Sequence, residues 1–186
     1  MSDWPDIFQR ITQDERYRKN LDWGEPRSGH PEGSIRAHVE ELDRNLAALR
    51  SKLGDDEYWR LRILVHVHDT FKPESVEGIA IKDPRSHASL ARQFLAGFTD
   101  DADLLNMTQF HDEPYALWRQ AEHRGDFNRA RFDALLATIK DWDVFLAFCI
   151  IDGCTAGKSR APLRWLFRQV EGKVPSRFTA ADIIIE

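Results

Sequence analysis

Apolar residues recur at the spacing of a helix in nearly every segment of this chain, and no run keeps the period-two alternation of β-branched residues that strands require. The expected fold is therefore all-α. Ile35, Val39, Leu42, Leu46 and Leu49 trace one apolar stripe, and Tyr58, Leu61, Leu64 and Val65 trace the next. Leu90, Phe94 and Phe98, then Leu104 and Met107, then Tyr115 and Trp118 indicate shorter helices. A long pattern runs from Phe132 to Ile151, and a last one from Leu163 to Val170. Gly and Pro punctuate these stripes: Leu21 to Gly33 reads as a loop, Gly54 with Asp55 and Asp56 closes one helix and opens another, and Pro73 marks the end of the helix that runs into HVHDTFKPES or a sharp departure from it. A chain of 186 residues is of ordinary length for one domain. Its core is expected between about residues 29 and 160, with an N-terminal helix, a C-terminal helix and a tail packed on it.

Composition limits the partners. Twenty-six basic against thirty-one acidic side chains leave a formal charge of -5, so no overall field favours nucleic acid or an anionic membrane, and neither is an expected partner. Any phosphate must be held locally. Two cysteines, Cys149 and Cys154, are too few and too close in sequence to staple a fold of this size, which points to a reducing compartment, and Cys149 in its apolar run reads as a core residue. The segment MSDWPDIFQRITQDERYRK carries charges throughout and no apolar stretch of signal-peptide or membrane-helix length, so the expected compartment is the cytoplasm. Ile183, Ile184 and Ile185 form an apolar tail suited to docking on the domain or on a partner, and a homodimer is compatible with it.

Several histidines and aspartates fall on the apolar faces. His38 is three residues after Ile35 and four before Leu42; His68 follows Val65 by three and Asp69 follows it by four; His87 precedes Leu90 and Ala91; His111 follows Leu104 and Met107; Asp152 follows Cys149 by three. One inward histidine is ordinarily a hydrogen-bonded core residue. Five helices each turning such a group inward is a different matter. Burying imidazoles and carboxylates together is costly unless they are paired or bound to a cation, and a shared metal accounts for all of them at once. The adjacent pair His68 and Asp69 suits a metal because neighbouring side chains converge at a helix end and diverge in a helix interior. Nitrogen and oxygen donors without thiolate favour Mn, Fe, Co, Ni, Zn or Mg over an iron–sulfur cluster or a structural zinc.

GHPEGSIRAHVEEL, HVHDTFK, SHASLARQF and IDGCTAGKSR together resemble the HD superfamily of metal-dependent phosphohydrolases, and the first segment is similar to the HD domain of bacterial tRNA nucleotidyltransferases. The resemblance spans about Gly29 to Arg160. It implies an irregular HD-type helical bundle in which His38, His68, Asp69 and Asp152 hold the principal divalent ion. It implies further that His87 and His111 hold a second ion with Asp69 as the bridge, so one or two divalent metal ions are the expected cofactors. Lys72 falls where many members carry a lysine near the substrate phosphate. The last aspartate has rivals in Asp141 and Asp143, since Asp141 lies eleven residues before Asp152 in the same long pattern. Asp152 is preferred because Gly153 and the GKSR segment resemble the family at that point.

The expected activity is hydrolysis of a phosphoester in a small, nucleotide-like or otherwise phosphorylated substrate, with Asp69 and Lys72 at the chemistry and Lys72 and Lys158 on the substrate. GCTAGKS is not a P-loop, because Gly153 stands four residues before Gly157 where that motif requires five, and a helix precedes it. Lys158, Ser159 and Arg160 remain available to a phosphate, with Lys158 preferred over Arg160. His30 and Glu32 read as shaping a loop, His66 as packing beside Ile63, His123 as exposed, and Trp59, Trp118, Trp142 and Trp165 as core. Two other functions share this donor set: a di-iron HD-type oxygenase and a nucleotide-sensing HD domain without turnover. A metal-free helical interaction domain is the plain alternative.

Overall fold

Each helix begins where the sequence supplies an acceptor, or a proline, for the N–H groups of its first turn. The computed structural model describes residues 3–26, 31 and 33–184, and among them no residue is in a strand. Asp3 caps α1 (Trp4–Gln13), Asp14 caps α2 (Glu15–Asn20) and Ser34 caps α3 (Ile35–Leu49). α4 (Asp55–Val67) starts at Gly54, whose N–H donates to the Glu57 carboxylate at 2.8 Å. Ser86 caps α5 (His87–Leu95) and Asp101 caps α6 (Ala102–Phe110). α7 (Glu113–Arg124) carries Pro114 in its first turn, where a missing N–H costs nothing. Asn128 caps α8 (Arg129–Thr138), Asp141 caps α9 (Trp142–Gly153), and α10 (Ala161–Val170) again starts with a proline, Pro162.

α9 is the axis of the fold. Every residue from Val144 to Ile151 is buried, the pattern of a helix covered on all sides. α3 and α4 pack on it and on each other, α1 covers α4, α6 lies against α4 and α5, and α10 bridges α9 and α7. One continuous set of buried apolar side chains links these helices from Trp4 to Ile183. The tail therefore docks on the chain itself through Phe178 and Ile183, both buried. Ile185, His30 and Glu32 lie outside the described residues. No helix among the described residues is long and apolar enough to cross a membrane.

Two expected boundaries are corrected. The pattern from Phe132 to Ile151 is not one helix: it breaks between α8 and α9, because the Asp103 carboxylate takes the N–H groups of Lys140 at 2.9 Å and Asp141 at 2.8 Å while the Asp141 side chain caps Val144 at 3.1 Å. Side-chain acceptors there compete successfully with the helical ladder. Gly54, for its part, opens α4 but does not close α3, which ends earlier in a 3-10 turn over Arg50–Lys52.

Candidate metal centre

Six side chains from five helices meet at the end of α4. α3 presents His38 from its first turns, the end of α4 presents His68 and Asp69, the first residue of α5 is His87, the end of α6 presents His111, and the last turn of α9 presents Asp152. His38, His68 and Asp152 form one group, and Asp69, His87 and His111 form another; within each group the candidate donor atoms lie within 4.8 Å of one another. Asp69 faces both groups. Its Oδ2 lies 3.4 Å from His68 Nε2 and 3.9 Å from His38 Nε2, while its Oδ1 lies 3.6 Å from His87 Nε2 and 3.6 Å from His111 Nε2. Asp152 Oδ1 closes the first group at 3.2 Å from His38 Nε2 and 3.8 Å from His68 Nε2.

Two of the imidazoles are oriented by the helix that carries them. At the end of α4, His68 Nδ1 donates to the Val65 carbonyl at 3.0 Å; at the end of α6, His111 Nδ1 donates to the Thr108 carbonyl at 2.8 Å. With Nδ1 used as the donor, Nε2 is the atom turned toward the carboxylates, which is how metal-binding histidines are set by their neighbours. His68 Nε2 is buried and makes no hydrogen bond among the described residues. A buried ring nitrogen in that condition, between two carboxylates, fits a cation. The donor set fits the same conclusion: these buried His and Asp groups are able to hold a metal ion.

The charges point the same way. Burial works to raise the Asp69 carboxyl, but Lys72 and His68 outweigh it and hold Asp69 well below its usual range. Asp152 is likewise held well below its usual range, with Lys158 and His38 overcoming burial. Burial lowers His68. His111 is raised to about 9, since Asp112 and Asp69 outweigh the burial that opposes its charge. The carboxylates that favour a proton on His111 favour any cation at that point.

Asp112 is the residue that sequence reasoning missed. Its Oδ2 lies 3.2 Å from His87 Nε2 and 3.6 Å from His111 Nε2, and these two histidines hold its carboxyl low against the effect of burial. The signal was present. His111 and Asp112 repeat, at the end of α6, the His68 and Asp69 pair at the end of α4.

The remaining residues divide clearly. Asp141 is turned to Arg60 at 2.7 Å and Asp143 to Arg177 at 2.6 Å, so neither stands with the histidines, whereas Asp152 does. Lys72 Nζ contacts Asp69 Oδ2, and Lys158 Nζ lies 2.8 Å from Asp152 Oδ1. Arg160 turns its guanidinium to the carbonyls of Gly153, Thr155, Lys158 and Cys154 at 3.1, 2.9, 2.8 and 3.0 Å. His66 sits apart, sharing hydrogen bonds with Tyr17 at 2.6 Å and Asp43 at 3.2 Å, and His123 is exposed. Burial pushes the Cys149 thiol up, which keeps it protonated and out of nucleophilic chemistry.

A cavity of about 490 Å3 opens on this cluster, lined by Asp69, Lys72, Asp112, Asp152, Lys158 and Ser159 and walled by side chains of α7 and α10. No family model, curated protein or solved structure matches this chain.

Proposed function

We propose that this protein is a metal-dependent phosphohydrolase of the HD type, cleaving a phosphoester of a nucleotide-like or other small phosphorylated substrate. One observation carries the proposal: the two oxygens of Asp69 each address a separate histidine group, the arrangement of a carboxylate that bridges two ions. His38, His68 and Asp152 would hold one ion, His87 and His111 the other, and Asp69 both. Divalent ions, when bound there, supply Lewis acidity that lowers the pKa of water and neutralises charge on phosphoryl oxygens. Lys72 and Lys158 stand at the carboxylates in the cavity wall and offer ammonium donors to a phosphate. Their position supports an anionic substrate such as a phosphoester.

The test is elemental analysis of protein purified without chelator, together with phosphate release from a panel of nucleoside monophosphates and small phosphomonoesters. The expected result is about two equivalents of metal per chain, close to one in His87→Ala, and loss of phosphate release in His68→Ala. Absence of metal after reconstitution, with no phosphate released from any substrate, would refute the proposal. Iron with oxygen-dependent turnover would transfer it to the oxygenase.

A further inference from the structure

We infer that the cavity beside the metal centre takes a phosphomonoester that carries a flat ring, with one phosphate and not a chain of three. The inference rests on the phosphohydrolase reading and narrows its substrate class. At about 490 Å3, the cavity lies within the roughly 300–1,000 Å3 of pockets that enclose a small organic ligand. Inorganic phosphate or a phosphate on a short acyclic alcohol would leave much of that space to water.

Two kinds of side chain line the space. Lys72, Lys158 and Ser159 supply phosphate donors next to the candidate metal ligands. Tyr115 and Trp118 stand one turn apart on α7, their ring centroids 5.5 Å apart and their planes inclined by 36°. Leu163 and Leu166 of α10 add aliphatic wall. Tyr115 is 49% exposed, one of few large hydrophobic side chains left so among the described residues. Trp118 serves the core on one side, as its stripe in the sequence implies, and lines the cavity on another. Flat aromatic faces beside a phosphate site are suited to stacking a ring, an interaction worth about 1–3 kcal/mol per base by alanine substitution.

The limit to one phosphate comes from the cations. Among the described residues, Lys72 and Lys158 are the lysines and arginines that line the cavity, and each already faces a carboxylate. Arg160, next in sequence to Ser159, is turned to four backbone carbonyls. Among the described residues, the wall of this cavity holds no third lysine or arginine for the charge that a triphosphate would bring.

Phosphonates test this without turnover, so a failure here is distinguishable from a failure of the hydrolase reading. Calorimetric titration of the protein loaded with Mn2+ should find phenylphosphonate about tenfold or more tighter than methylphosphonate. Tyr115→Ala, which truncates a half-exposed side chain and spares the core, should cut that ratio severalfold; Trp118→Leu, which keeps an apolar side chain against the core and removes the flat ring, should do the same. Adenosine 5′-monophosphate should bind at least as tightly as adenosine 5′-triphosphate. Equal affinity for the two phosphonates, or a ratio unaltered in both variants, overturns the ring site. A triphosphate tenfold tighter than the monophosphate overturns the single-phosphate limit.

Discussion

Asp69→Asn is the sharpest test of the bridging arrangement, because it keeps the shape of the side chain and removes one charge from both histidine groups. A ligand present at about 100 times its Kd stabilises the folded state by about 2.7 kcal/mol. For a chain of 186 residues that is a rise in Tm of roughly 5–11 °C, at about 2–4 °C per kcal/mol. The Asp69 oxygens lie 3.4–3.9 Å from the histidine nitrogens of both groups, so each ion would lie within about 4 Å of the charge. At an effective dielectric of about 20, a unit charge pair at that separation is worth about 4 kcal/mol, and a divalent ion more. Losing about 4 kcal/mol weakens binding nearly a thousandfold. The same metal concentration then falls to about one-tenth of the new Kd and stabilises by less than about 0.1 kcal/mol. Thermal melts of each protein, with metal and with chelator, read the shift within one variant, so any effect on the metal-free fold cancels. The wild-type shift should collapse below about 1 °C in Asp69→Asn. A variant that keeps the full metal-dependent shift would show that Asp69 does not ligate, and the two-ion reasoning would fall with it.

Other substitutions probe how the fold holds the site. A methyl group added at Gly153 would lie 2.7 Å from Leu163 Cδ1 and 2.8 Å from Cγ, so Gly153→Ala should destabilise by about 1–3 kcal/mol in urea unfolding, by wedging α10 from α9 beside Asp152. Arg60 is buried and holds Asp141 at 2.7 Å, with Asp101 at 3.7 Å and Asp103 at 3.8 Å. Arg60→Ala removes the buried cation that those partly exposed carboxylates share and should cost about 1–3 kcal/mol by the same assay; a loss under about 0.5 kcal/mol would mean that water and backbone N–H groups already satisfy them. Glu74 receives Arg16 Nη2 at 2.7 Å and Asn20 Nδ2 at 2.7 Å, and the Arg16 hydrogen bond holds its carboxyl below the usual 4.5. Its contribution to stability is full above pH 4.5 and lost as pH falls through the lowered folded value, so Glu74→Gln should flatten that acid limb of a pH–stability profile.

The helices were readable because burial of one face imposes a period on the sequence, and the stripes at Ile35 to Leu49 and Leu163 to Val170 became α3 and α10. The break between α8 and α9 was not, because apolar residues continue on both sides and the interruption is made by Asp103, nearly forty residues earlier in the chain. His38, His68, His87, His111 and Asp152 were legible as inward groups, since spacing alone says which face a residue occupies. What spacing does not give is which inward groups meet. His66 is buried as well, yet it faces Tyr17 and Asp43 on another side of α4. The cavity-facing sides of Tyr115 and Trp118 were not legible for a related reason. A stripe identifies the side of α7 that faces the protein, but α10 stands away from part of that side, and the space between them becomes cavity wall.

The repeated pair explains how so irregular a bundle builds a dense donor cluster. A helix interior separates neighbouring side chains by about 100°, so a histidine and the aspartate after it diverge. At a C-terminus the constraint lapses. His68 and His111 each cap their helix and spend Nδ1 on a carbonyl three residues back, at 3.0 and 2.8 Å, which directs Nε2 outward along the helix. The aspartate that follows has left the helical ladder and swings to the same point. Bringing the ends of α4 and α6 together thus assembles four donors from two short segments, and α3, α5 and α9 each need supply one more. By this logic Asp112 stands to the second histidine group as Asp69 stands to the first, except that Asp69 is enclosed and Asp112 is about half exposed. An enclosed carboxylate between two groups is placed to bridge; a half-exposed one at the cavity edge is placed to meet what enters.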